Sequence, residues 1–122
     1  PRLILFFELW KRHSPTFIIY ANSYSQNVAK VLEYYQKKGE LRVYCRGTQG
    51  CKRTQHYFSG IYRLSHSLAH NDCVMRMESE YGVLLDIDEY IHIPNETLLD
   101  FAEQQFKNDA NVGSLLFSHN GL

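Results

Sequence analysis

Three acidic residues, Asp86, Asp88 and Glu89, have the types and spacing best suited to chemistry in this chain. They follow Val83-Leu84-Leu85, a short apolar run expected to be a buried strand that delivers them at its C-terminal end. Two carboxylates one residue apart at such a strand end suit a hard divalent cation that keeps open positions for a phosphorylated ligand. The expected chemistry is action on a nucleotide-linked or phosphorylated substrate. A bare D-x-D is also common as an ordinary polar strand end, so the surrounding elements must decide between the two.

Other residue types invite weaker readings. His66 and His70 lie four apart on an expected helix, a spacing that puts both on one face and could serve zinc; with no third ligand nearby, an ordinary helical pair is favoured. His92 follows the acidic cluster closely enough to assist a metal or phosphate, against a plain alternating strand position. Gln55 and Arg63 could face a nucleotide from the same helix. Asp72 is read as a structural group that hydrogen-bonds backbone near the strand that follows, and Met75 and Met77 as packing residues.

The chain has 122 residues, 44% of them hydrophobic and 14% aromatic, enough for a real core in one domain or a piece of one. Lys plus Arg equals Asp plus Glu, 13 each, so no long-range positive field recruits nucleic acid. No run approaches the ~18 to 20 apolar residues of a bilayer span. The apolar opening, LILFFELW, is interrupted by Glu8 and lacks the basic n-region and cleavage site of a signal peptide. The start at Pro1 and the end at Gly121-Leu122 read as an internal fragment, truncated at both ends, with any anchoring segment upstream.

The three cysteines, Cys45, Cys51 and Cys73, match no zinc spacing, and their pairing is left open between a bridge in an oxidising compartment and reduced thiols. Asn95-Glu96-Thr97 is an N-glycosylation acceptor sequence placed just after Pro94, which points modestly to a lumen and makes Asn95 the candidate glycan site.

The elements that would position these residues alternate along the chain. Residues 3 to 12 read as a helix, closed by Ser14-Pro15. Thr16 to Tyr20 reads as a buried strand. Ser25 to Lys38 is an amphipathic helix with Ser23 or Ser25 as N-cap and Gly39 just past its end. Leu41 to Cys45 is a second strand, 46 to 53 a loop, and about Gln55 to Asn71 a long helix. Tyr81 to Asp86 is the third expected strand, Leu98 to Phe106 a helix starting near Asn95 or Thr97, and Val112 to Ser118 a fourth strand. That order predicts an α/β fold with a mostly parallel sheet flanked by helices. In such sheets ligands sit beyond the carboxyl ends of the strands, the end at which Asp86 and Asp88 emerge.

Three segments in this order carry a family likeness: FELWKRHSPTFIIYANSYSQNVAKVLEYYQKKGELRVY, then QHYFSGIYRLSHSLAHNDCVMRM with its Asn71-Asp72-Cys73, then LLDIDEYIHIP. With them the chain resembles the glycosyltransferase family 92 domain, over nearly its whole length. The resemblance implies a GT-A-like fold, of which residues 1–122 would be the N-terminal, nucleotide-sugar-binding part of a single glycosyltransferase domain. It also implies transfer of a sugar, galactose above all, from a UDP-sugar to a glycan or glycoprotein acceptor, in a type II membrane protein of the Golgi lumen. Asp86 and Asp88 would occupy the metal-binding D-x-D, with Mn²⁺ or another divalent cation as the ion. Glu89 would join them at the donor. No general base is assigned within the chain.

Two rival readings belong to other classes. A phosphatase or phosphotransferase would use Asp86 as nucleophile and Asp88 as acid. Such enzymes usually carry a small hydroxyl residue two places after the motif and place the motif on their first strand; here the residue is Tyr90 and the strand is the third. A non-catalytic glycan-binding relative would keep the fold without metal-dependent binding of UDP.

Overall fold

The computed structural model describes residues 2–21, 24–45 and 62–118, apart from the side chains of Cys45 and of 62–66. The chain divides into two compact units, Pro15–Asp86 and Pro1–Ser14 with Ile87–Leu122.

The unit Pro15–Asp86 is built on a strand-helix-strand: β1 (Phe17–Ala21), α2 (Gln26–Lys37) and β2 (Leu41–Cys45). The β-branched and aromatic residues of FIIYA favour a strand, and β1 pairs with β2 in parallel, Phe17 opposite Leu41 through Ala21 opposite Cys45. Helix α2 begins where expected, because the Ser25 hydroxyl accepts the Val28 N–H at 3.4 Å and so satisfies an open helix donor. It ends in a Schellman turn. The Gly39 N–H bonds the Gln36 carbonyl at 3.0 Å and the Glu40 N–H the Tyr35 carbonyl at 3.2 Å. Gly39 adopts φ +74 to allow this, a conformation that a Cβ resists. The Glu40 carbonyl then accepts the Phe17 N–H at 2.9 Å, which joins the turn to the sheet.

Side chains alternate across the strands. Helix α2 lies against β2, and Leu32, Tyr35 and Leu41 are the buried apolar side chains of this unit among the described residues. The opposite face carries Ile18 and Tyr20 from β1 with Arg42 and Tyr44 from β2. It meets the end of α3 (Tyr62–Arg76) through polar groups. The Tyr20 hydroxyl donates to Asp72 at 2.7 Å, the Arg76 guanidinium lies 4.8 Å from the centre of the Tyr44 ring, and Arg42 binds Glu78 through two bonds of 2.9 and 2.7 Å. Helix α3 runs on to Arg76 instead of ending at Asn71. Its expected first residues, from Gln55, and the loop 46–53 lie outside the described residues.

In the unit Pro1–Ser14 with Ile87–Leu122, α1 (Arg2–Trp10) continues as a 3-10 turn, Lys11–His13. Pro15 disfavours the helical conformation at Ser14, which takes φ 48 and closes the turn by donating to the Lys11 carbonyl at 2.9 Å. Helix α4 (Leu98–Asn108) starts in a capping box: the Asp100 N–H bonds the Thr97 hydroxyl, and the Asp100 carboxylate accepts from the Thr97 N–H. Phe7, Trp10, Ile93 and Ala102 are its buried apolar residues among those described.

Two strand expectations fail in detail. Tyr81–Asp86 and Val112–Ser118 form no ladder among the described residues, where the sheet has two strands and not four. A strand needs a neighbouring backbone to satisfy its N–H and C=O groups, and apolar composition supplies none. Val83 and Leu84 are accordingly exposed rather than buried. The last segment packs instead by a side chain, with the Phe117 ring 6.1 Å from that of Phe101 in α4.

Candidate functional site

Asp86 is the last residue of one unit, and Asp88 and Glu89 belong to the other. Asp86 is exposed at the surface of its unit. The stretch that leads to it is held locally: the Ser79 hydroxyl donates to the Tyr81 carbonyl at 2.8 Å, and Met77 lies close against Gly82, leaving no room for a Cβ without moving the thioether. Upstream, the Asp72 carboxylate accepts from both Arg76 and Tyr20, each at 2.7 Å. The Arg76 bond and then the Tyr20 bond hold it below the usual carboxylate range. Asp72 has a structural role, but through the Arg76 and Tyr20 side chains rather than through backbone near the strand expected to follow it.

In the second unit, Ile87 and Asp88 form a turn, and Glu89 and Tyr90 run inward from it. The Trp10 indole N–H donates to the Glu89 carbonyl at 3.3 Å. The Tyr90 ring meets Trp10 edge-on, with centroids 5.4 Å apart and planes at 69°. A cleft of about 230 Å³ results, with Leu5, Phe6 and Leu9 of α1 on one side and Asp88 and Glu89 on the other, and Arg2 also on its wall. Asp88 is exposed and Glu89 half-buried. An exposed carboxylate beside an open cleft can reach a cation or a sugar hydroxyl, while the apolar wall excludes water from part of any ligand placed there.

His13 joins this group. Its Nδ1 accepts the Leu98 N–H at 3.0 Å, and its Nε2 lies 3.5 Å from the Tyr90 hydroxyl. Burial first, and the neighbouring Arg12 charge second, hold its pKa below the ordinary histidine value. Sequence reasoning singled out neither His13, Trp10 nor Tyr90 for a role at the acidic motif. Their partners lie far along the chain, and no spacing rule connects them.

The remaining candidates fare variously. His70 is exposed, and the side chain of His66 lies outside the described residues, as do Gln55, Cys51 and the side chains of Arg63 and Cys45. No grouping of three or more His, Cys, Asp or Glu side chains able to hold a metal occurs among the described residues. Cys73 is a free thiol, pushed up by burial and then by Asp72. Met75 is 86% exposed, which overturns its reading as a packing residue; α3 meets the sheet through polar groups and leaves that side chain outside. His92 is exposed. Asn95 is exposed with φ 65, while Thr97 of the same acceptor sequence caps α4.

A glycosyltransferase family model fits the chain along its whole length. The chain belongs to Glycosyltransferase family 92, the match covering residues 1–122. No curated protein and no solved structure matched it.

Proposed function

We propose that this chain carries the donor-binding part of a metal-dependent glycosyltransferase that moves galactose from UDP-galactose to a glycan acceptor. Family membership supports sugar transfer. The observation that carries the donor assignment is the position of Asp88 and Glu89 on the wall of an open cleft beside α1. In this reading the two units belong to one GT-A-like domain, and the enzyme works in the Golgi lumen as a type II membrane protein. Among the described residues no helix is long and apolar enough to cross a membrane.

The donor set suits the proposed ion. Asp86 and Asp88 are both exposed carboxylates, and no larger ligand cluster surrounds them among the described residues. Oxygen ligands from one or two carboxylates, with the remaining positions left to phosphate oxygens, are typical for hard divalent cations at nucleotide sites. Asp86 and Asp88 would hold Mn²⁺, and the bound ion would offset the charge that builds on a departing diphosphate. Glu89 would orient a hydroxyl of the donor, its main chain steadied by Trp10. Asn95, exposed on its turn, would carry an N-linked glycan.

Isothermal titration of UDP with and without Mn²⁺, on the wild type and on Asp88→Ala, tests this. Binding that requires the metal and is lost in the variant is expected. Equal binding of UDP without metal would remove the donor-anchor role. A donor screen on the same protein then identifies the sugar.

A further inference from the structure

His13 stands where the 3-10 turn after α1 meets two other parts of its unit. Leu98, whose N–H it accepts, is the first residue of α4, and that N–H is one of the donors a helix start leaves open. The ring nitrogen thus acts as a further cap beside Thr97. Because Nδ1 is the acceptor, the proton of the neutral ring is on Nε2, which faces the Tyr90 hydroxyl. The same ring lies 5.4 Å from that of Trp10 and 6.1 Å from that of Tyr90. Trp10 in turn bonds the Glu89 carbonyl. One imidazole therefore links the end of α1, the Glu89–Tyr90 segment and the start of α4.

That link depends on charge state. An imidazolium has no acceptor, and its Nδ1–H would point at the Leu98 N–H, at the positive end of the α4 dipole. Arg12 on its own turn opposes a second positive charge. Opposite it lie the Tyr90 hydroxyl and the first turn of α4. There the Asp100 carboxylate is engaged by the Thr97 hydroxyl at 2.6 Å and its N–H at 3.3 Å.

We propose that His13 is a positioning residue. Neutral, it holds the Glu89–Tyr90 segment, and with it Asp88, against α1; protonated, it releases that segment. The functional consequence, loss of donor affinity in acid, rests on the donor-anchor reading of Asp88, whereas the structural one does not.

Two readouts and two variants test it. His13→Asn retains a side-chain acceptor that does not titrate; His13→Phe retains an aromatic ring without the acceptor. Between about pH 7.5 and about pH 5 the wild type should lose hydrogen-exchange protection at the Leu98 amide, by about tenfold per unit as pH falls from the ordinary histidine value toward the lowered His13 one, and level off below that. Its affinity for UDP with Mn²⁺ should fall further than that of His13→Asn over the same interval. His13→Asn should show no protection step, and His13→Phe should show low protection and weak binding at both ends. A step that persists in His13→Asn, or wild-type protection in His13→Phe, overturns the proposal. Trp10 is the chain's one tryptophan, so its fluorescence reports on the same corner, while far-ultraviolet circular dichroism confirms that each variant is folded. If UDP shows no metal-dependent binding at any pH, the donor reading fails, while the Leu98 amide still decides the role of His13.

Discussion

Tyr20 donates its phenolic proton to Asp72 at 2.7 Å, tying β1 to α3 across 52 residues of chain. The bond shifts both partners in the sense that stabilises the fold near neutrality. Asp72 is lowered, by Arg76 first and Tyr20 second, so its contribution is present above the unfolded carboxylate value and is lost as pH falls toward the lowered folded one. Tyr20 is raised, by burial first and then by its bond to Asp72. Its contribution is present below the unfolded tyrosine value, about 10, and is lost as pH rises beyond it. Tyr20→Phe should therefore lower the melting temperature most between about pH 5 and about pH 9 and converge on the wild type at both extremes. A pH series of thermal melts checks this; a constant offset at all pH would mean that the hydroxyl contributes nothing specific.

Gly39→Ala should destabilise the protein by about 1 kcal/mol. Open space surrounds the position, so the whole effect comes from the positive φ. Urea unfolding at equilibrium measures it, and Gly39→Asn should recover part of the loss, since asparagine tolerates this conformation better than alanine.

Thr97 has two roles that substitution can separate. Asn95→Gln removes the glycan acceptor and leaves the α4 capping box untouched. Thr97→Ala removes both and should cost about 1 kcal/mol of stability. Thr97→Ser keeps both. Expression in a secretory host, with the mass compared before and after endoglycosidase treatment, reads glycan attachment. Denaturant unfolding of the deglycosylated proteins reads the cap.

Phe7 and Met75 should respond in opposite ways to loss of their side chains. Phe7, fully buried, should lose about 3 to 5 kcal/mol on replacement by alanine. Met75→Gln should change stability by less than about 0.5 kcal/mol, because the side chain is 86% exposed. Unfolding curves measure both, and that of Met75→Gln decides whether α3 docks by its polar end, as the Tyr20–Asp72 bond implies.

Strand β2 was legible in full and helix α2 nearly so, since its amphipathic pattern and Gly39 are short-range signals, while its N-cap stayed open between Ser23 and Ser25. The acidic motif was legible for the same reason: residue type and spacing along fewer than ten positions suffice to suggest it. Tyr81–Asp86 and Val112–Ser118 misled because the propensity of Val, Leu and Phe for strands is realised only beside a partner backbone. Met75 misled because helical spacing says which residues share a face, not what that face meets.

Asp86, Asp88 and Glu89, the helix stop at Gly39, helix starts narrowed to Ser23 or Ser25 and to Asn95 or Thr97, and the likeness to one transferase family were written into the order of residues, because each depends on neighbours close in the chain. Folding alone decided that Trp10 would steady Glu89 and that His13 would cap α4 beside Tyr90. Those bonds join residues more than seventy positions apart, and only the packing of α1 against the Glu89–Tyr90 segment brings their atoms within hydrogen-bonding reach.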